Sequence, residues 1–430
     1  MDEKFDAIVV GSGPAGCAAA YVMAKAGLNV LMIERGTVPG AKNIIGGVLY
    51  SKVLNDLFPN FWEEGPVERY INRRIISFVT EDSSVSMDFK SGKFSRPPYN
   101  GFTVLRAKFD KWFVEKAEEA GVMFVPGMLV DDLLWAGDKV AGIKVGGDEM
   151  PADVVIAADG ANSILAQKAK LRGELQAHHV ATGVKEVIEL PRGVIEERFG
   201  LSGDEGMANE YTGWCTQGVA GGAFLYTNKE SLSLGLVCNI AALRKSGKRP
   251  ADMIEEFKQH PAIRNLVRGG EVVEYSAHLI PEGGLEMQPK LCTNGMLVVG
   301  DAAGFVCLTG LTLEGANFAI SSGIAAAETV KLAKERGDFS AASLSHYESL
   351  LNESFVLQDF KTYKGAPQFL ENQRMFDAYP NLVASIAESI FNVDGQPKKK
   401  MSKVMREALK RSKVSYLDLL KDGLQGVRAL

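Results

Sequence analysis

The sequence predicts an α/β fold: a parallel sheet wrapped by helices, an inserted antiparallel lobe, and a helical C-terminus. Three observations predict it. Phe5-Asp6-Ala7-Ile8-Val9-Val10 runs into Gly11-Ser12-Gly13-Pro14-Ala15-Gly16, and Leu28-Asn29-Val30-Leu31-Met32-Ile33 then ends at Glu34. This order of strand, glycine turn, helix, strand and acid opens a doubly wound sheet. Two further apolar runs, 153–158 and 296–299, end at Asp159-Gly160 and Gly300-Asp301, and they are unbroken as strands covered on both faces are. Between about residues 180 and 291 the texture changes. There 182–189, 223–227 and 231–240 read as longer antiparallel strands interrupted by a helix at 250–259.

Each element carries its own reason. Gly11 allows a tight turn, Gly13 lets backbone approach a pyrophosphate, and Gly16 lets the helix pack on the strand, with Pro14 and Ala15 between them. The pyrophosphate then sits at the helix N-terminus, where free N–H groups favour an anion. Glu34 is placed to accept hydrogen bonds from the adenosine ribose, and Arg35 is counted with it. Gly46-Gly47 follow a loop of small residues and would let backbone approach a cofactor ring, or they form an ordinary turn. Arg106 precedes a helix at 109–120; it would pair with the pyrophosphate, or it is a surface arginine. Gly121 ends that helix before a strand at 122–125. A hairpin follows at 129–135 and 140–145 around Gly137-Asp138, and Val130 in its first arm joins the cofactor set.

Asp301 ends a core strand at the sheet's C-terminal edge, where ligands bind. A carboxylate there can accept from a ribityl hydroxyl, which flavins carry and nicotinamides do not. Taken alone the stretch fits equally a strand-ending turn with Asp as a helix cap; together with the first fingerprint it points to FAD. Gly310-Leu311-Thr312-Leu313-Glu314-Gly315-Ala316-Asn317-Phe318-Ala319 begins a helix of small residues whose N-terminal N–H groups would face the negative end of a reduced flavin, and Gly315, Ala316 and Asn317 join the cofactor set. Close helix packing explains the same small residues.

At 430 residues and 46% hydrophobic content the chain can bury a large core in two or three domains. A net charge of −5 gives no nucleic-acid signature. Five scattered cysteines without a C-x-x-C pair argue against a disulfide framework, a zinc site or a self-contained iron–sulfur cluster, and fit a reducing cytosol. Phe5 already starts the fold, which leaves no room for a signal peptide. The most apolar helix, 318–332, is interrupted by Ser321, Ser322 and Glu328, so it does not span a bilayer. The expected division is 1–80, 100–175 and 290–335 for the cofactor domain, 81–99 and 176–289 for the inserted lobe, and 336–430 for a helical region.

The set Gly11 to Gly16, Glu34, Asp159-Gly160 and Gly300-Asp301 resembles the glutathione-reductase-type, Rossmann-like FAD fold, in its p-hydroxybenzoate-hydroxylase-like branch. More specific stretches are Gly40-Ala41-Lys42-Asn43-Ile44-Ile45-Gly46-Gly47, Leu57-Phe58-Pro59 and Gly221-Gly222-Ala223-Phe224-Leu225-Tyr226. Two more are His260-Pro261-Ala262-Ile263-Arg264 and Pro281-Glu282-Gly283-Gly284. Together they resemble the electron-transfer flavoprotein:quinone oxidoreductase family in its short FixC form, as far as about Phe391.

That resemblance implies a non-covalent FAD that takes electrons from the alpha and beta subunits of an electron-transfer flavoprotein and passes them to menaquinone or ubiquinone. It places the quinone near Gly221, Gly222, Phe224 and Tyr226, a stretch that also reads as a glycine-bulged strand. Long members of the family add a ferredoxin-like domain with four cysteines and a [4Fe-4S] cluster. This chain ends without it, so the resemblance implies a cluster carried by a separate small ferredoxin-like subunit. In such assemblies electrons from NADH can be bifurcated. The implied location is the cytoplasmic side of a membrane, peripherally attached.

No second G-x-G-x-x-G appears, so the donor is expected to be a protein rather than a resident nicotinamide. The Asp301 motif continues with Gly304 and Leu308, where hydroxylase relatives carry His and Pro, which argues against oxygen chemistry. Outer-sphere electron transfer needs no proton-transfer side chain, so no catalytic residue and no metal ligand is nominated. Tyr379, Leu382, Val383, Ile386 and Ile390 recur at helical spacing, as a core stripe or as a membrane or subunit contact. The basic run Lys398-Lys399-Lys400, Lys403, Arg406, Lys410, Arg411 and Lys413 is a solvated tail, or meets anionic lipid or an acidic subunit. Two rival functions remain open: a stand-alone flavin reductase or monooxygenase acting on a lipid, as geranylgeranyl reductases do, and a non-catalytic subunit.

Overall fold

Strand pairing divides the chain into two large sheets whose strands interleave along the sequence. The computed structural model describes residues 4–40, 47–310 and 312–430. Its strands are β1 (Phe5–Val10), β2 (Val30–Glu34), β3 (Val48–Tyr50), β4 (Val67–Val79), β5 (Ser84–Lys90), β6 (Gly101–Val104) and β7 (Met123–Pro126). Then come β8 (Asp132–Ala136), β9 (Lys139–Val145), β10 (Asp148–Ala157), β11 (Val180–Glu189), β12 (Glu205–Gly213) and β13 (Gly221–Thr227). The last are β14 (Ser231–Asn239), β15 (Glu271–Pro281), β16 (Cys292–Thr293), β17 (Met296–Val298), β18 (Cys307–Leu308) and β19 (Leu313–Glu314).

The first sheet has the order β16-β17-β10-β1-β2-β7, and its strands from β17 to β7 are all parallel. Val9 lies opposite Ile156 on one side and Met32 on the other, and all three are fully buried. Helices cover both faces, so the central stretches 7–10, 30–33, 154–157 and 296–298 are apolar at every position. The helix Pro14–Lys25 packs closely on the long helix Ala316–Arg336: a Cβ added to Gly323 would lie 2.2 Å from the Ala15 carbonyl oxygen. The expected hairpin is present as β8 and β9, its first arm starting three residues later and ending one residue later than expected.

The second sheet runs β15-β11-β14-β13-β12-β4-β6-β3, with β5 paired to β4. It is antiparallel except for β12 against β4. Here the structure departs from the expected division: β3, β4 and β6 hydrogen-bond in this sheet, although their residues were assigned to the cofactor domain. The reason is legible in β4. Glu68, Arg69, Arg73 and Arg74 break its apolar run, so it does not look like a strand in sequence. The fold absorbs these charges. Arg69 is fully buried and donates to the carbonyls of Gly203, Glu205, Asn228 and Lys229. No register shift interrupts β13 against β14, so Gly221 and Gly222 do not form a bulge there.

The two faces of this sheet differ. Ile75, Tyr211, Leu225, Leu234 and Leu236 join Met253, Ile254 and Phe257 of the helix Pro250–Gln259 in an apolar core. The opposite face is polar and aromatic, and its Lys185 feels the charges of Arg106 and Asp110 on the helix Arg106–Glu119. At the C-terminus, Leu382 of the helix Ala378–Phe391 packs with Ala408 and Leu409 of the helix Met401–Ser412, and Tyr379 and Ile386 border them. The stripe expected there therefore divides, since Ile390 and Phe391 at its end are exposed. The final helix, Tyr416–Ala429, is tied down by Asp422, which accepts a two-pronged bond from Arg374 at 2.6 and 2.7 Å and another from the Tyr379 hydroxyl. Among the described residues no helix is long and apolar enough to cross a membrane.

Candidate functional site

The first fingerprint sits where β1 meets the helix Pro14–Lys25. Gly11 has φ +106°, and a Cβ there would fall 2.3 Å from the Ala158 carbonyl oxygen; at Gly16 it would fall 1.9 Å from the Gly11 oxygen. Gly13 differs, with no atom within 4 Å of an added Cβ. Pro14 occupies the first turn, no side chain caps that helix, and no acid lies in its first turn. Uncapped N–H groups thus face open space beside Gly13, the arrangement that suits an anion. The Glu34 carboxylate is fixed alongside: it accepts from the Ser12 N–H at 3.1 Å and from the Gly36 N–H at 2.7 Å. Carboxylate oxygens have lone pairs to spare for further donors. Arg35 is exposed next to it.

Ala15 joins this turn to the later motifs, since a Cβ on Gly300 would lie 2.8 Å from the Ala15 Cβ. Gly300 donates its N–H to Ser322 Oγ at 2.9 Å. Burial pushes the Asp301 carboxyl up to about 6, against the pull of the Arg106 guanidinium. Arg106 forks onto Asp110, with both N–O distances 2.8 Å, so its charge is already matched within its own helix. Asp159 Oδ2 accepts from the Leu165 N–H at 2.9 Å, while its buried Oδ1 has no partner among the described residues, and none of them lies within 4 Å of a Cβ added to Gly160 beside it. The long helix starts at Ala316 with Gly315 as its N-cap, not from Gly310, because Leu313–Glu314 pair as a short strand with Cys307–Leu308. Asn317 donates to Glu314 at 2.7 Å, and its buried Oδ1 has no partner among the described residues. Val130 is half-buried ahead of β8 and packs on the main core. Gly46 lies outside the described residues.

These features fit FAD on the structure's own terms. Buried, unpartnered oxygens on Asp159 and Asn317 mark positions where a ligand's donors would be welcome. The open cradle at Gly13 and Gly160 leaves room for the ligand's backbone-hugging portion.

The second sheet supplies groups that sequence reasoning missed. Lys185, Gly235, Phe224 and Glu210 form one row across β11, β14, β13 and β12. Ser233, Tyr226, Ala208 and Arg74 form the next. The Phe224 and Tyr226 rings stack with centroids 4.8 Å apart and an interplanar angle of 17°. Glycines make space for both: an added Cβ would reach 2.3 Å from Phe224 at Gly235 and 2.9 Å from Tyr226 at Gly47. Gly47 thus lies against the ring of Tyr226, whose strand also carries Gly221, Gly222 and Phe224.

Arg74 donates to Glu210 Oε1 at 2.9 Å and to the Tyr50 hydroxyl at 3.1 Å. Burial pushes Glu210 up to about 7, with Arg74 opposing. The fully buried Lys185 ion-pairs with Glu274 at 3.1 Å, and burial lowers its pKa. His278 is pushed down to about 4 by burial, then by Arg106 and Arg35. The signal for such groups was present: Lys185 stands in the middle of the apolar run 180–188 and Glu210 between Asn209 and Tyr211 in β12. What each would face was not. Among the described residues no group of three or more metal-ligating side chains is gathered.

Comparison with known proteins bears on the same regions. Residues 6–184 match the family model for FAD dependent oxidoreductases, 180–280 match that described as ETF-QO, ubiquinone-binding, and 366–430 match the ETF-QO/FixC family C-terminal domain. The chain is 48% identical over 429 residues, covering 100% of both chains, to the probable electron transfer flavoprotein-quinone oxidoreductase YdiS of Escherichia coli K12. It is 46% identical to protein FixC of Salmonella typhi and 42% identical to protein FixC of Azorhizobium caulinodans, covering at least 99% of each. A crystal structure of a geranylgeranyl bacteriochlorophyll reductase-like protein from Thermoplasma acidophilum shares the fold, with a TM-score of 0.73 and 23% identity over 99% of both chains. The myxobacterial chondrochloren halogenase CndH does so with a TM-score of 0.64 and 19% identity, covering 99% of this chain and 91% of the halogenase. On these matches the chain is an FAD-dependent oxidoreductase and belongs to the electron-transfer flavoprotein:quinone oxidoreductase and FixC family.

Proposed function

We propose that this chain passes electrons from an electron-transfer flavoprotein to a quinone. The observation that carries the proposal is that the ubiquinone-binding match, 180–280, contains the stacked Phe224 and Tyr226 rings, with Gly47 of the expected cofactor set packed against Tyr226. Bound FAD supplies a carrier that takes up two electrons and releases them one at a time. The chain's residues do the rest. The open turn at Gly13 and the uncapped helix end receive the pyrophosphate, Glu34 the ribose, and Asp159 and Asp301 the hydroxyls of the remaining linker. The stacked Phe224 and Tyr226 rings form an apolar platform for a quinone ring, with Gly221-Gly222 bordering it on β13. A platform of this kind aligns a planar headgroup at small separation from the cofactor, which is what outer-sphere transfer requires.

The finer parts of the reading belong to the assembly. The two subunits of the electron-transfer flavoprotein deliver the electrons, and a small ferredoxin-like subunit carries a [4Fe-4S] cluster. The present FAD then serves as the high-potential branch of an NADH-driven bifurcating complex. The acceptor, menaquinone or ubiquinone, is met at a cytoplasmic membrane surface. Exposed Ile390, Phe391 and Val393 support peripheral attachment, because the helix Ala378–Phe391 packs on β5, which exposes Met87 and Phe89, and Lys398-Lys399-Lys400 follow.

The test is to purify the chain with FAD and supply reduced electron-transfer flavoprotein and a short-chain quinone. Quinol formation that depends on the flavoprotein is expected. A holoprotein that never reduces the quinone, or one that turns over with NAD(P)H and no partner, overturns the proposal.

A further inference from the structure

Reducing a quinone to a quinol takes two electrons and two protons, and the electron path above supplies no protons. The polar corner of the second sheet holds a protonatable group close to the aromatic rings. Glu210 lies directly opposite Phe224 in the register of β12 and β13, and opposed residues in such a pair hold their Cβ atoms about 4.5–5.5 Å apart. Its carboxylate is therefore at the edge of the Phe224–Tyr226 platform. Arg74 of β4 holds Glu210 Oε1, whereas Oε2 is enclosed and has no hydrogen-bond partner among the described residues. About a quarter of the Glu210 side chain is nevertheless exposed, so the group has a route to water. An enclosed carboxyl oxygen lacking a partner is a group kept ready for a donor or acceptor that arrives from outside the protein.

We propose that Glu210 is the proton donor to the quinone, with Arg74 as the positioning residue that holds the carboxylate left behind. The step balances. Two electrons reach the quinone from the flavin, as already proposed. The O–H bond of the Glu210 carboxylic acid breaks, an O–H bond forms on a quinone carbonyl oxygen, and Glu210 is left as a carboxylate paired with Arg74. Solvent returns a proton to Glu210, and the other carbonyl oxygen, on the far side of the ring, takes its proton from water, so two electrons and two protons give the quinol.

The surroundings agree with this role. The charged and titratable groups facing Glu210 and its partner are Arg74 from β4, Tyr50 from β3, Tyr226 from β13 and, beyond Tyr50, Glu314 from β19. Burial outweighs the pull of Arg74 and raises Glu210 to about 7, which keeps an acid and its base both populated near neutral pH. Both tyrosines are raised above their ordinary value by burial first, so they stay neutral and compete with Glu210 only as hydrogen-bond donors.

The inference rests on the quinone lying at Phe224 and Tyr226, and the experiment separates the two. Holoenzyme is assayed for quinone reduction by the reduced donor flavoprotein across pH, alongside binding of a quinone analogue. The wild-type rate is expected to fall as pH rises through about 7, where Glu210 loses its proton. Glu210→Gln should be roughly 100-fold slower without that falling limb, and Glu210→Asp should restore a pH-dependent rate. Infrared difference spectra should show a carboxylic-acid band that titrates near neutrality and vanishes in Glu210→Gln. A Glu210→Gln holoenzyme with the wild-type rate and the same pH limb overturns the proton role. If Phe224→Ala and Tyr226→Ala leave analogue binding unchanged, the placement of the quinone itself falls. If those two weaken binding while Glu210→Gln behaves as wild type, only the proton role falls.

Discussion

At the scale of single residues, the three glycines of the first turn separate fold from function. Gly11 and Gly16 are closed in by backbone oxygens at 2.3 and 1.9 Å from an added Cβ, while Gly13 faces nothing. Gly16→Ala should therefore cost the apoprotein about 1–3 kcal/mol by overpacking. Gly13→Ala, at an N-cap of ordinary β-region backbone, should change apoprotein stability by less than about 1 kcal/mol yet weaken FAD binding at least tenfold. Denaturant melts and flavin titration of both variants check this. Asp301 presents the opposite conflict. Its carboxyl is raised to about 6 by burial, so in the apoprotein the folded state binds the proton more tightly than the unfolded chain does. That penalty appears as pH rises from about 4 to 6 and persists above. Asp301→Asn should then stabilise the apoprotein at pH 7 by about 1–2 kcal/mol, allowing for the residue's remaining exposure, and lose much of that advantage near pH 4. The same substitution should weaken FAD, and thermal melts at the two pH values report the first effect. These glycines and Asp301 were legible in sequence because a backbone turn dictates residue type locally. Glu210 and Arg74 were not, because their meaning comes from a contact across β4 and β12 that no local pattern encodes.

At the scale of elements, periodicity served where one environment covers a whole segment. The parallel strands of the first sheet and the helix Pro250–Gln259 were read close to their ends, except that β10 begins at Asp148, five residues before the expected start. It failed for β4, where four charged side chains are satisfied by partners distant in sequence, and for β12 and β15, whose polar face hides the alternation. The C-terminal helices show a related ambiguity, since a stripe of apolar residues does not say what covers it. In the final helix Leu417, Leu420, Leu424 and Val427 recur at helical spacing and are all more than half exposed. They are the surface on which the ferredoxin-like subunit proposed above is expected to dock. Leu420→Glu with Leu424→Glu should leave the melting temperature within about 2 °C, as exposed positions do, and abolish co-purification of the iron–sulfur subunit. A stoichiometric complex with this variant removes that assignment. The exposed end of the helix Ala378–Phe391 makes a separate prediction. Phe391→Asp with Val393→Asp should lower co-sedimentation with anionic lipid vesicles at least tenfold, and raising the salt concentration should weaken the wild type as well.

At the scale of the whole molecule, the cofactor is expected to lie between a sheet that holds its nucleotide and a sheet that faces its redox end. A ligand so placed binds only the folded chain, so stability should rise with free FAD by about 4 kcal/mol at a thousandfold excess over Kd. A melting temperature that climbs with FAD concentration checks this, and one indifferent to it contradicts the placement. The interleaving of the two sheets has a consequence for how the protein is made. Tyr70 of β4 pairs with Glu205 of β12, about 135 residues later in the chain. At roughly 5–20 residues per second, a ribosome takes on the order of 7–27 s to supply that partner. Through that interval β4 waits with one edge unclosed, four charges still in water, and its apolar side chains uncovered. The charges that obscured β4 in the sequence therefore guard it during synthesis, since Glu68, Arg69, Arg73 and Arg74 make the waiting edge a poor template for pairing with another nascent chain.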